Sequence, residues 1–453
     1  MTTYDRVGLL RAVSREDSAL DTDSAESTSS AEIDWTTTIK NFIFPALGGS
    51  LFGYDIGATS GALLSLTSSK TSGTDWGSTL SSFESGLVVS SSLFGALAGS
   101  AAALWVGDAL GRKRELLLAA ACYGGAVALL ALAPNLPVLI AGRVIFGLGI
   151  GFAMHAAPAY LAETAPESVR GLLISLKEGL IVLGILLGYL ISYLFVDQEA
   201  GWRYMYGAAA IPALALGLGM AALPDSPSGD GIPSGPGLGR VLEKRYFKPL
   251  SVGLSLMLFQ QITGQPSVLY YAAKIFEDAG FGSAQQATGV SVGLGVFKLV
   301  MTGAAVLYVD KLGRRPLLLG GIAAMILALG GLGVASLQLE GTFGAWVSLA
   351  GLLLYVGAYQ ISFGPISWLM VGEVFPLAVR GPAAALATIT NFGSNFLVSL
   401  ALPSLQSNLG PGGTYLLFAA VGVGLSTERL WRSCCVVMHL KKEQLNGERS
   451  DHD

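Results

Sequence analysis

Charge is scarce in this 453-residue chain: Asp, Glu, Lys and Arg make up 13% of it, about half the share usual in a soluble domain. So little charge cannot cover a water-facing surface of this size, which argues against an ordinary soluble enzyme. Basic residues are not in excess, with 27 Lys and Arg against 31 Asp and Glu, so no nucleic-acid partner is expected. The three cysteines, Cys122, Cys434 and Cys435, are too few and too badly spaced for a disulfide framework or a zinc site. Three histidines, His155, His439 and His452, argue against a histidine-based metal centre or triad. No metal, cofactor or nucleophile–base pairing is expected. The run GLGIGFA (147–153) superficially resembles a nucleotide-binding glycine loop, but it lies in an apolar stretch with no preceding strand, so helix packing is the plainer reading.

What the chain does have is 52% hydrophobic residues and 60 glycines, the composition of a multi-pass membrane protein. Apolar runs fall near 39–66, 83–107, 115–133, 136–161, 172–196, 203–223, 249–276, 287–309, 316–338, 343–371 and 380–404, and a twelfth starts near Thr414. About 20 residues suffice for one helical crossing. Interior glycines such as Gly142, Gly147, Gly184 and Gly188 let membrane helices approach closely. Pro158, Pro266 and Pro365 fall within these runs. Residues 1–38 are polar and acidic, without the apolar core of a secretory signal, and read as a disordered cytoplasmic tail. The expected organisation is a six-helix half over 39–223, a cytoplasmic linker over 224–248, a second half over 249–425 and a tail over 426–453.

Charge sorts the connections. Arg112, Lys113, Arg114, Arg170, Arg240, Lys244, Arg245, Lys248, Lys311, Arg314, Arg315 and Arg380 fall in alternate connections, and the opposite ones hold Lys70, Arg203 and Lys274. This positive-inside bias puts both termini in the cytoplasm. The chain also repeats itself. GDALGRKR (107–114) is echoed by VDKLGRR (309–315), with Asp108 and Asp310 202 residues apart. ETAPESVRG (163–171) is echoed by EVFPLAVRG (373–381), at an offset of 210. Two paired signatures at nearly one offset predict two parallel six-helix halves, a transporter architecture.

These motifs, with FGYD (52–55), GRVIFGLGIG (142–151), QQITGQ (260–265) and GPISW (364–368), resemble the sugar porters of the major facilitator superfamily over about residues 39–420. ISLKEGLIVLG (174–184) and GQPSVLYYA (264–272) look nearest to the plant and algal branch, described as D-xylose–proton symporter-like or vacuolar glucose transporter-like. The resemblance implies an all-α major facilitator fold of about twelve transmembrane helices, the last one short. It also implies a monosaccharide carrier that works by rocking of its halves, with sugar, protons and the lipid bilayer as partners. Three departures stand out. PDSPSGDGIPSGPGLGR (224–240) replaces the family's cytoplasmic helices, the last apolar run ends at Leu425, and Pro266 stands where the family has an asparagine. A non-transporting sugar sensor or inactive truncated carrier, and a facilitative uniporter, are the rival expectations. A vacuolar or a plasma membrane would each accommodate it.

Asp55 and Arg143 fall inside the first and fourth spans, where a charge is costly and functional by default. The resemblance makes Asp55 the proton-accepting carboxylate and Arg143 its partner; a purely structural ion pair is the rival. Gln260, Gln261, Gln265, Trp368 and Asn391 match the family's sugar contacts, amides for hydroxyls and an indole for the ring face. Helix–helix bonding by the glutamines and lipid or packing roles for Trp368 are the alternatives. Tyr270 and Tyr271 resemble an outer gate, with core packing an equal contender. Glu163, Arg170, Glu373, Arg380, Arg112 and Arg314 resemble an inner charge network, or serve topology alone. Finally, Glu178 and Lys298 stand where many sugar porters carry a glutamine and an asparagine. They are expected to form an ion pair across the central cavity; the rivals are Lys177 as partner for Glu178 and a Lys298 that snorkels toward an interface.

Overall fold

A computed structural model of the chain describes residues 35–166, 169–225, 238–339, 341–375 and 379–426. Among them every regular element is helical. Contacts divide the chain into Met1–Lys40, whose described part opens the first helix, and Asn41–Asp453, which holds everything discussed below. The first half comprises α1 (Trp35–Thr67), α2 (Ser82–Leu110), α3 (Arg112–Leu132), α4 (Leu136–Thr164), α5 (Arg170–Phe195) and a sixth crossing made of α6 (Gly201–Gly207) and α7 (Ala210–Ala222). A short helix, α8 (Leu238–Val241), precedes the second half. That half consists of α9 (Phe247–Ile262), α10 (Gln265–Tyr270), α11 (Ala272–Asp278), α12 (Ala284–Leu312), α13 (Arg314–Gln338), α14 (Gly341–Ile361), α15 (Phe363–Val374) and α16 (Arg380–Ser426).

Among the described residues, nine helical stretches are long and apolar enough to cross a membrane. One of them, Gly381–Gly424, is 44 residues long, enough for two crossings. The expected runs at 39–66 and 249–276 are not in that set. α1 carries Ser50, Asp55, Thr59, Ser60 and Ser65 as buried polar residues. The seventh crossing is cut into pieces of 16, 6 and 7 residues. The two stretches that read worst as membrane helices therefore hold the buried polar groups a transport site needs.

The duplication is visible in the backbone. Gly111 turns the chain between α2 and α3 at φ 78°, ψ 163°, and Gly313 does so between α12 and α13 at φ 80°, ψ 153°. A side chain would be strained at such a φ, so both copies of the LGR signature keep glycine there. The halves meet along two seams, α2 against α16 and α5 against α12.

Several boundaries differ from the sequence reading. Pro266 and Pro365 lie within crossings whose helices are interrupted. Pro266 opens α10 just after Gly264 (φ 84°), and Pro365 falls in the first turn of α15 after a break at Ser362 (φ −107°, ψ −92°). Proline fits the first turn, where its missing N–H has no helical partner. Pro158 does stay inside α4. The last crossing begins at Pro411, beyond a break at Gly410 (φ 70°), not at Thr414. Its helix runs to Ser426, about 24 Å at 1.5 Å per residue. The end of the linker is more ordered than its Gly and Pro content suggests, because Val241 is fully buried in an apolar cluster with Leu250, Met257, Phe375 and Val379. Of the expected tails and linker, residues 1–34, 226–237 and 427–453 lie outside the described residues.

Candidate functional site

Asp55 and Arg143 meet as expected, deep in the first half. The Arg143 guanidinium donates from Nη1 to Asp55 Oδ1 at 3.0 Å and from Nη2 to Oδ2 at 3.3 Å. Two hydroxyls complete the pair. Ser92 donates to Asp55 Oδ2 and accepts from Arg143 Nη2, both at 2.8 Å. Thr59 accepts from Arg143 Nη1 at 2.8 Å. Arg143 is fully buried and Asp55 nearly so. Such a pair survives at membrane depth because each charge has both a counter-charge and polar neighbours. Gly147, one turn beyond Arg143 on α4, makes the approach possible: a Cβ there would sit 2.0 Å from the Ser92 carbonyl oxygen of α2.

The pair faces the second half. Tyr270, fully buried on α10, lies within electrostatic reach of Asp55, Arg143 and Ser92. Two hydrogen bonds cross between the halves in this region. The Tyr189 hydroxyl of α5 donates to the Leu269 carbonyl at 2.7 Å, and the Ala273 N–H donates to Ser60 Oγ of α1 at 2.9 Å. Phe52 of α1 also meets Phe392 of α16 edge to face across the seam, at 5.7 Å between ring centres. Tyr271 does not cross; its hydroxyl donates to the Ser399 carbonyl within the second half.

Three of the expected sugar contacts cluster around the breaks of α9–α11 and α14–α15. Gln260 is occupied by protein. Its Nε2 donates to the Phe363 carbonyl at 2.9 Å, and its Oε1 accepts from Asn391 Nδ2 at 2.8 Å. Gln261 and Gln265 are buried too, but Gln261 Oε1 and Gln265 Nε2 have no hydrogen-bond partner. One open acceptor and one open donor, on either side of the Gly264 break, are what a ligand hydroxyl requires. Trp368 is half-buried and packs on the cluster that includes Met257, whose sulfur lies 3.5 Å from Asn391 Nδ2.

The expected bond between Glu178 and Lys298 is absent. Lys298 instead donates to Gln360 Oε1 at 2.5 Å, with its ammonium 5.7 Å from the Tyr359 ring centre. Glu178 pairs with its neighbour Lys177 at 3.5 Å. Lys298 lies buried inside the second half with a neutral amide as its direct partner, whereas the Glu178 side chain is 43% exposed and acts on Lys298 only through space. Gln360 and Tyr359 were missed in the sequence, although a glutamine in the apolar run of α14 is a signal of the same kind as Gln260. Ser92 was also missed, despite the three consecutive serines at 90–92 in α2, all buried.

At the basic-loop end, Arg112 Nε lies 3.7 Å from Glu163 Oε1 and Lys113 pairs with Asp225 at 3.5 Å, both within the first half. Arg314 holds the matching corner of the second half and is half-buried. The side chains of Arg170, Glu373 and Arg380 lie outside the described residues.

Two repeated six-helix halves, a buried acid–base pair beside their seam and polar residues at broken helices define a membrane transporter of the major facilitator fold. Residues 42–228 and 238–434 match the family described as Sugar (and other) transporter, and the chain belongs to that family. It is 47% identical over 452 residues to the D-xylose-proton symporter-like 3, chloroplastic, of Arabidopsis thaliana, covering 88% of this chain and 80% of that one. It is 35% identical over 414 residues to a D-xylose transporter of Levilactobacillus brevis, covering 83% and 88%. Among solved structures, the partially occluded inward open conformation of the xylose transporter XylE from E. coli superposes with a TM-score of 0.73 at 27% identity, covering 86% of this chain and 96% of that one.

Proposed function

We propose that the chain couples the movement of a monosaccharide, D-xylose or a hexose of similar shape, to that of a proton. The observation that carries this reading is the buried Asp55–Arg143 pair, placed beside Tyr270 at the seam. An aspartate at membrane depth can hold a proton or a guanidinium, and moving Arg143 away exchanges one for the other. Ser92, donating to Asp55, and Thr59, accepting from Arg143, keep both partners oriented while the halves rock. The names of the similar proteins, a D-xylose-proton symporter-like protein and a D-xylose transporter among them, support the same substrate pair.

The sugar sits between the halves, with Gln261 and Gln265 binding hydroxyls and Trp368 offering a ring face. Gln260 and Asn391, bonded to each other, position α9 against α16. Lys298 and Glu178 line the same chamber from opposite halves. The basic loops face the cytoplasm, as do both termini, and the halves comprise residues 39–223 and 249–425 joined by 224–248. The cross-half bonds of Tyr189 and Ala273 then close the outer side, and Tyr270 and Tyr271 are part of that closure. Arg112, Glu163, Arg170, Arg314, Glu373 and Arg380 re-form a joint network when the inner side shuts. The reading requires no enzymatic step.

Reconstituted protein in proteoliposomes tests it. Labelled D-xylose and D-glucose should accumulate when an inward proton gradient is imposed and only equilibrate without one. Equal plateaus in both conditions would make the protein a uniporter, and sugar binding without flux would make it a sensor.

A further inference from the structure

A second pair of titratable groups lies away from Asp55. Glu115, in the first turn of α3, is fully buried, and its Oε1 lies 2.8 Å from Nδ1 of His155 on α4. The other carboxylate oxygen, Oε2, has no partner. The neighbouring charges are engaged elsewhere or face away. On α3, Arg112 pairs with Glu163 of α4, Lys113 pairs with Asp225, and Arg114 is exposed. From α2, Gly107 packs directly on the pair, so that a Cβ there would sit 2.8 Å from Glu115 Oε2 and from the imidazole Cε1. Asp108, next to it, has a side chain outside the described residues. α7 faces α3 with apolar residues alone. Arg143 lies on the same helix as His155 but twelve residues away, about 18 Å along the axis. His155 is thus the partner Glu115 has among the described residues.

The duplication supplies a control within the molecule. At the offset of the LGR signatures, Glu115 corresponds to Leu317, and at the offset of the EVF signature His155 corresponds to Pro365. The second half therefore builds its corner without an acid or an imidazole. Architecture does not require them, and a fully buried carboxylate is retained in a protein at a cost that an apolar residue avoids.

The geometry points to Glu115 and His155 as a second proton-binding site, at the basic-loop end of the first half, through which pH on that side sets the packing of the α2–α3 corner. The pair takes up one proton from water, reached through the His155 edge, which is 25% exposed. With the proton bound, imidazolium and carboxylate neutralise each other and tie α3 to α4. When it leaves to water, an uncompensated carboxylate remains in a dry site, and the first turn of α3 must yield to admit water. That turn starts directly after Gly111 and carries Arg112, so proton release loosens the grip of Arg112 on Glu163. The inference builds on the transporter reading only for its consequence; the proton site stands or falls without it.

The test uses the full-length protein in lipid nanodiscs with isotope-labelled histidine. Its three histidine signals are followed with pH, and H155M identifies the one that belongs to His155. Replacing Glu115 by Gln should change the pH dependence of that signal and leave the other two unchanged. Identical His155 curves in the wild type and E115Q would overturn the site. A second arm reads the conformation without any sugar, through spin labels at R114C and K311C in a D55N background, which silences any response of Asp55, with the native cysteines replaced by serine. The distance should change with pH while Glu115 and His155 are both present. It should stay fixed in E115L/H155M, which imitates an apolar corner, or in E115Q/H155Q should the first fail to fold. A pH response that persists in the variant that folds would overturn the coupling.

Discussion

Lys298 and Gln360 form a buried ammonium–amide bond of 2.5 Å between α12 and α14, inside the second half. It gives the lysine at membrane depth a partner that carries no charge. A double-mutant cycle should therefore couple Lys298→Asn to Gln360→Ala, by about 0.5–3 kcal/mol of unfolding free energy in detergent. The cycle of Lys298→Asn with Glu178→Gln should show the weaker coupling of the two. A larger coupling in the second cycle would mean that the chamber rearranges to bring Glu178 onto Lys298.

Asp55→Asn should keep sugar counterflow while abolishing accumulation driven by a proton gradient, since the amide keeps the shape and loses the proton site. Uphill accumulation by the variant would move proton coupling elsewhere.

Arg143→Ala leaves the buried Asp55 carboxylate without its counter-charge. Its thermal unfolding should show a loss of about 3–5 kcal/mol, the cost typical of breaking a buried pair. The double variant Asp55→Asn, Arg143→Ala should recover part of that loss, and purely additive losses would show that Ser92 and Thr59 suffice to hold the carboxylate.

Gln261→Ala and Trp368→Ala should each weaken binding of the transported sugar, the first by about 0.5–1.5 kcal/mol for a lost hydrogen bond. Isothermal titration or tryptophan fluorescence measures this. Gln260→Ala should instead lower stability, because its amide joins α9 to Phe363 and Asn391. If Gln260→Ala weakens binding with no change in stability, its amide serves the sugar after all.

Tyr189→Phe and Ser60→Ala each remove one hydrogen bond between the halves. At about 0.5–1.5 kcal/mol apiece, each should shift the balance of open and closed outer sides by roughly 2–10-fold. Labelling of a cysteine introduced at Ala273, fully buried beside these bonds, should speed up accordingly. Unchanged labelling would place the outer closure at other contacts.

The sequence carried the fold clearly wherever a span is uniformly apolar, as in α2, α3 and α13, because hydrophobic length alone decides a crossing. It carried Asp55 and Arg143 for the complementary reason, that ionised groups inside apolar runs stand out. It blurred at broken helices, where the Gly264 and Ser362 interruptions read as continuous apolar runs. Ser92 and Gln360 passed unnoticed because an isolated polar residue acquires meaning only from what lies across the helix interface.

From the chain by itself come the duplication, the spans, the family motifs and the identity of the costly buried charges, since each is a property of residue type and spacing. Tertiary structure alone decided the partners. Lys298 took Gln360 instead of Glu178, Gln260 was absorbed by Asn391 while Gln261 and Gln265 stayed open, and Glu115 found His155 forty residues away. Pairing at membrane depth depends on distances of a few ångströms between different helices, and those are set by how closely the helices pack, which spacing along one helix does not encode.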